Sequence, residues 1–139
     1  MRDVSVKRWS RVHRVIFRAT RGKVGRRLVD NDMLLLTTIG RKTGKAHTVP
    51  LLYLSDNDQL VVIASYGGRD THPEWYLNLD TTSDVVVELA GRKRLMVAHT
   101  ANPAERLEWW PKIVEAYDGY ATYQSRTDRE IPVVFLTPT

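Results

Sequence analysis

The apolar runs of this chain are all short, and turn-forming residues separate them. Segments 33–36, 46–55, 59–66, 84–90, 92–100 and 130–137 are each rich in branched or aromatic residues. None approaches the ~18–20 apolar residues of a membrane-spanning helix. Runs of this length and composition read as strands. Asp56, Asn57 and Asp58 make a hairpin turn between the second and third, and Gly91 turns the chain between the fourth and fifth. Six strands joined mainly as hairpins, with short helical patterns between them, point to an α+β fold: an antiparallel barrel with helices on its surface.

The turn between the first two strands concentrates chemistry. Segment 37–45 reads TTIGRKTGK, placing Arg41, Lys42 and Lys45 beside Gly40, Gly44 and the hydroxyl of Thr43. Glycines allow a sharp turn with bare backbone N–H groups, and the cations supply charge, a combination that suits a phosphate or a polycarboxylate. The spacing is not that of a Walker loop, because three residues rather than four separate Gly40 from Gly44 and a strand follows. A solvated basic hairpin turn would read the same way.

Composition narrows the chemistry. The 139 residues suffice for one domain with a real core and contain no cysteine, which excludes disulfides, thiolate metal sites and cysteine nucleophiles. The four histidines are scattered without metal-ligand spacing, so no metal is expected. The net charge of +5 conceals an asymmetry, with ten Lys/Arg against one acid in residues 1–27. Within that arm, segment 4–21 reads as an amphipathic helix: Lys7, Arg11, Arg14, Arg18 and Arg21 on one face, Trp9, Val12, Ile16 and Phe17 on the other. The pattern suits an interfacial membrane helix and equally a helix docked on its own core. No nucleic-acid recognition motif accompanies it. The chain thus divides into a basic arm over 1–30 and a domain over 31–139. It reads as cytoplasmic, peripheral to the inner face of the cell membrane at most.

Further along, Ser65-Tyr66-Gly67-Gly68 ends the third strand with glycines that permit a turn or a close ligand approach. Pro73 fits the first position of a short helix over 73–79 in which Trp75 and Leu79 share a face, with Trp75 as a core plug. Asn102, Pro103 and Glu105 form a helix start, and Pro111 should disturb the middle of that helix. Tyr117, Tyr120 and Tyr123 recur at three-residue spacing, a stripe that suits either core packing or a cleft wall.

In order, the segments T-T-x-G-R-K-T-G, V-P-L-L-Y-L, A-S-x-G-G, H-P-x-W-Y-x-N-L, Y-x-x-Y-x-x-Y-Q and I-P-V-V resemble the deazaflavin-dependent nitroreductase and quinone reductase family of actinobacteria, over about residues 31–139. The resemblance implies a six-stranded antiparallel split β-barrel of the flavin mononucleotide-binding kind. It also implies hydride transfer from reduced coenzyme F420 to quinones, enones or nitroaromatic compounds. Carried over, Gly40, Arg41, Lys42 and Thr43 match the loop on the coenzyme's phosphate and acidic tail. His47, Thr48, Val49, Pro50 and Leu51 match a strand along the coenzyme, and Ala64, Ser65 and Tyr66 the segment beside its ring. Trp75, Tyr76 and Asn78 match the covering helix. Tyr117, Tyr120 and Tyr123, with Ser65, match the catalytic side. His47 and Tyr66 depart from cations in the family pattern, which either weakens the hold on an anionic coenzyme or shifts it to Arg41, Lys42 and Lys45. The alternatives are a flavin mononucleotide oxidoreductase on the same barrel and a non-catalytic binder of an anionic ligand. Barrels of this kind often pair, so an oligomer is compatible with the pattern.

Overall fold

The computed structural model describes residues 33–139, so the 1–30 arm and its expected amphipathic helix lie outside the described residues. Seven strands form one antiparallel sheet: β1 (Met33–Ile39), β2 (Ala46–Leu52), β3 (Leu54–Asp56), β4 (Gln59–Ile63), β5 (Asp84–Leu89), β6 (Arg92–Thr100) and β7 (Val133–Pro138). Their spatial order is β2-β1-β5-β6-β7-β4-β3. Three helices accompany them among the described residues: α1 (Glu74–Thr81), α2 (Pro103–Ala116) and α3 (Gly119–Ser125).

The α+β class and the antiparallel hairpins agree with the sequence reading, but the strand number is seven, not six. The single strand expected over 46–55 breaks at Tyr53. Its first part pairs with β1 and its second with β4, so one continuous apolar run supplies both edges of the sheet. Alternation along a strand shows which residues share a face and carries no mark of a corner. Pro50 within β2 is consistent with that strand's edge position, where a missing N–H costs no ladder bond.

The sheet curls, and its core shows it. Leu34 and Leu36 of β1, Leu60 and Val62 of β4, Val87 of β5, Met96 of β6 and Val134 and Leu136 of β7 belong to one buried cluster, although these strands span most of the sheet's width. Each contributes alternate residues to the concave face. Trp75, Tyr76 and Leu79 of α1 join that cluster and cover it. On the opposite face of β4 and β7, Val61, Ile63, Val133 and Phe135 pack against Trp109 and Ile113 of α2 and Tyr120 of α3. Burial on both faces explains why these two strands read as unbroken apolar runs.

Helix α2 begins as its sequence requires. The Glu105 N–H donates to Asn102 Oδ1 at 2.8 Å, and the Asn102 N–H donates to Glu105 Oε1 at 2.9 Å. Pro111 does not interrupt the helix. The carbonyl it leaves without an N–H belongs to Leu107, which lies on the solvent face at 78% exposure, so the lost bond does not strand a buried acceptor. Pro73 caps α1 from the position before Glu74 rather than standing inside it.

A tight turn at Tyr66–Gly68 lies against α3. A Cβ on Gly68 would sit 2.6 Å from the Tyr123 carbonyl oxygen, and its φ of +81° is a left-handed value. Gly68→Ala is therefore expected to destabilise the protein by about 2 kcal/mol or more, read as a lower urea midpoint.

Candidate active site

The elements converge on a two-part cleft. The larger part, about 680 Å³, is walled by Val49, Pro50, Leu51, Ser65, Tyr66, Trp75 and the tyrosines 117, 120 and 123. The smaller, about 400 Å³, is walled by Gly40, Arg41, Lys42, Thr43, His47, Thr48 and Asn78. Val49, Glu74 and Trp75 line both, so the parts adjoin. One is apolar and aromatic; the other is basic and polar. Ala64 and Tyr76 line neither. Ala64 is wholly buried, and the Tyr76 hydroxyl pairs with Thr100 Oγ1 at 2.9 Å.

The basic loop between β1 and β2 closes on itself more fully than its glycines suggest. Gly40 N–H donates to the Lys45 carbonyl at 2.7 Å, Gly44 N–H to the Gly40 carbonyl at 2.8 Å, and Lys45 N–H to Thr43 Oγ1 at 3.2 Å. The Arg41 N–H donates to Asn78 Oδ1 at 3.1 Å. Four N–H groups expected to be bare are thus consumed in closing and anchoring the turn, leaving those of Lys42 and Thr43 without a partner among the described residues. Gly40 is required by crowding, since a Cβ there would meet Thr43 Oγ1 at 2.7 Å and His47 Nε2 at 2.8 Å.

Asn78 anchors this loop to α1. Besides the backbone of Arg41, its Oδ1 accepts from Arg41 NH1 at 3.0 Å, while its amide donates to Thr38 Oγ1 at 3.3 Å. The other edge of the Arg41 guanidinium pairs with Glu74 Oε2 at 3.2 Å. Lys42 and Lys45 form no ion pair among the described residues; both are exposed, and Lys42 lines the basic part of the cleft.

The tyrosines come from the junction of α2 and α3. Tyr117 ends α2, and Tyr120 and Tyr123 lie on α3, with edge-to-face ring contacts at 6.1 and 6.0 Å. Tyr120 is 8% exposed, and its hydroxyl has no hydrogen-bond partner among the described residues. Burial first, then the neighbouring Tyr117 and Tyr123, push its pKa up to about 12. The phenol therefore stays protonated through the neutral range. The stripe is both things its spacing allowed, since Tyr120 packs in the α2–α3 core and also lines the cleft.

Sequence reasoning missed Arg129, which positions the loop carrying Ser65 and Tyr66. Its guanidinium donates to the carbonyls of Ser65 (2.7 Å), Arg69 (2.7 Å) and Ala64 (3.2 Å), and to Nδ1 of His72 (2.9 Å). Three backbone acceptors fix the loop against the segment before β7. Arg129 stands in the run Asp128-Arg129-Glu130, which reads as ordinary solvated surface. Gln124 holds this segment in turn, donating to the Arg129 carbonyl at 2.8 Å and accepting from the Ile131 N–H at 2.9 Å. Tyr66 carries Arg69 over its ring at 4.5 Å, with Arg69 NH1 donating to its hydroxyl at 3.1 Å. A cation is therefore retained beside position 66.

A family model described as F420H(2)-dependent quinone reductase matches residues 9–138 of this chain. An F420H(2)-dependent quinone reductase of Mycobacterium tuberculosis is 37% identical over 131 residues, which cover 91% of this chain and 88% of that protein. Among solved structures, an F420-H2 dependent reductase is 39% identical with a TM-score of 0.68, covering 75% of this chain and 92% of that one. A further structure, described as a domain-swapped dimer, is 35% identical with a TM-score of 0.71, covering 95% of this chain and 99% of that one.

The Arg129 clamp has a pH dependence of determined sign. Burial, then Arg129, hold the His72 imidazole below its ordinary pKa, against a smaller opposing pull from Asp80. The unfolded chain thus binds this proton more readily than the native one. The contribution of His72 is complete above about pH 6.5 and declines as pH falls through the lower native value. Melting temperature should fall more steeply between pH 7 and pH 5 for the wild type than for His72→Gln, which keeps an acceptor for Arg129 and does not titrate; equal slopes would exclude His72.

Proposed function

Since the chain belongs to the F420H(2)-dependent quinone reductase family and is an F420H2-dependent reductase, we propose that it reduces a quinone in the aromatic part of the cleft while holding the coenzyme's anionic groups in the basic part. The observation that carries this reading is the adjacency of the two parts across Val49, Glu74 and Trp75. The residues present fit the coenzyme. Arg41 and Lys42 line the basic part with Lys45 exposed on the same loop, a charge set that suits a phosphate and carboxylates, and a buried phenol with no hydrogen-bond partner among the described residues lines the larger cavity.

Reduced F420, when bound, supplies the hydride. Lys42 and Lys45, with Arg41 and the free N–H groups of Lys42 and Thr43, hold its phosphate and acidic tail through charge-assisted bonds. The Trp75 indole, 8% exposed at the meeting of the two parts, keeps water from the ring region. Ser65, held through its carbonyl by Arg129, lines the larger part of the cleft and would offer its hydroxyl to a bound ring. A quinone that accepts hydride gains negative charge on oxygen and then a proton. The Tyr120 phenol, neutral at working pH, donates a hydrogen bond to that oxygen, a stabilisation of the oxyanion type. Its raised pKa makes it a poor outright acid, so the proton reaches the oxygen from solvent past Tyr123, which is partly exposed.

Enones and nitroaromatic compounds also develop charge on oxygen when reduced, and the same donor serves them. A lipid quinone would place the protein at a membrane through the basic arm. Salt-sensitive binding to anionic liposomes is expected, and deleting residues 1–27 should abolish it; flotation with both proteins checks this.

Tyr120→Phe keeps the packing and removes the donor. It should lower kcat for quinone reduction about tenfold or more and leave coenzyme affinity, followed by F420 fluorescence, within about twofold. Unchanged turnover would move the role to Tyr117 or Tyr123.

A further inference from the structure

Among the described residues, Glu74 is the one acid that lines either part of the cleft, and it lines both. Its carboxylate sits on the Arg41 guanidinium at 3.2 and 3.4 Å. The two edges of that guanidinium are held very differently. Asn78, 4% exposed and fastened to Thr38, grips NH1 and the Arg41 backbone N–H with a single oxygen. Glu74 takes NH2 alone, with a side chain that is 72% exposed against 22% for Arg41. One edge is built into the wall, and the other is a solvent-accessible contact of the kind that contributes little stability.

We propose that Glu74 is an internal competitor for the anion site: it occupies Arg41 in the free protein and yields that edge to an incoming phosphate or carboxylate. This rests on the reading that the basic loop holds the anionic part of F420. The exchange is feasible on three counts. The Glu74 side chain is exposed, so release leaves its carboxylate hydrated, and the vacated edge of the partly buried Arg41 passes to the ligand rather than being stranded. Glu74 lies in the first turn of α1, where a carboxylate remains favourably placed against the helix dipole after release. Asn78 keeps Arg41 in position throughout, so the freed NH2 edge presents its donors to the ligand without a rotamer search.

Such a competitor makes Glu74 a specificity-determining residue. A ligand with a strongly anionic tail displaces it and recovers a charge-assisted bond to Arg41. A deazaflavin or flavin without such a tail cannot, and meets a neutralised Arg41 instead. Selection then acts on the tail and leaves the aromatic part of the cleft untouched.

The test is a fluorescence titration of the full-length protein with oxidised F420 and, separately, with the deazaflavin riboside that lacks phosphate and acidic tail. Glu74→Gln should bind F420 roughly twofold to fivefold more tightly than the wild type and bind the riboside with unchanged affinity. In an Arg41→Gln background, which removes the contested group, the gain should vanish. Melting temperatures of all variants confirm folding before titration. Tighter binding of both ligands by Glu74→Gln would overturn the proposal, placing the effect on the ring. So would unchanged or weaker F420 binding, which would make Glu74 a support that orients Arg41. Equal wild-type affinity for F420 and the riboside would overturn the underlying assignment of the anion site. A gain that persists without Arg41 would show simple charge repulsion rather than competition for its edge.

Discussion

Every strand of this sheet but β3 presents apolar residues to the same side, and among the described residues α1 covers that side. A flat sheet of seven strands would leave most of that surface in water. Curling lets strands from distant positions in the sheet, such as β1 and β4, share one core that a helix of eight residues can close. The corner at Tyr53 follows from the same requirement. Tyr53 is 9% exposed because the chain passes there from one edge of the sheet to the other.

The curl also assembles the cleft. It brings the β1–β2 loop, the turn after β4 and the α2–α3 junction to one region, where α1 separates a basic pocket from an aromatic one. Two polar residues then turn proximity into defined geometry. Asn78 fastens the basic loop to α1, and Arg129 fastens the Ser65–Tyr66 turn to the segment before β7. Arg129 acts mainly on backbone carbonyls and Asn78 on one backbone N–H and two side chains, and both specify where a loop runs. The backbone records the resulting constraint, since Tyr66, Gly67 and Gly68 are all left-handed in consecutive positions.

Charge within the cleft is distributed by the same framework. Neither His47 nor Tyr66, expected from the resemblance to stand in place of cations, is far from one: Arg41 and Lys42 line the same part of the cleft as His47. His47 packs behind the Gly40 turn, and Tyr66 carries Arg69. Lys42 and Lys45 remain uncommitted to any acid among the described residues, whereas Arg41 is shared between Asn78 and Glu74. Most backbone N–H groups of the loop are used by the turn itself, so under the proposed function the lysine side chains would carry more of the anion binding.

Much of this protein is legible in its residues one stretch at a time. Short branched and aromatic runs between turn residues located most strands, the Asn102–Glu105 box located α2, and Gly40 through Lys45 marked a basic turn, because each depends on local backbone geometry and neighbouring side chains. The ordered motifs also carried the family and its coenzyme, which the matches support. What tertiary structure alone decided are the relations between distant segments. The break at Tyr53, the continuity of α2 through Pro111, the clamp by Arg129 and the sharing of Arg41 between Asn78 and Glu74 each join residues far apart in the chain or depend on which face meets water. A sequence pattern shows which face a residue occupies. It does not show what stands opposite that face, and here what stands opposite determines which polar groups are consumed by the fold and which are left for a ligand.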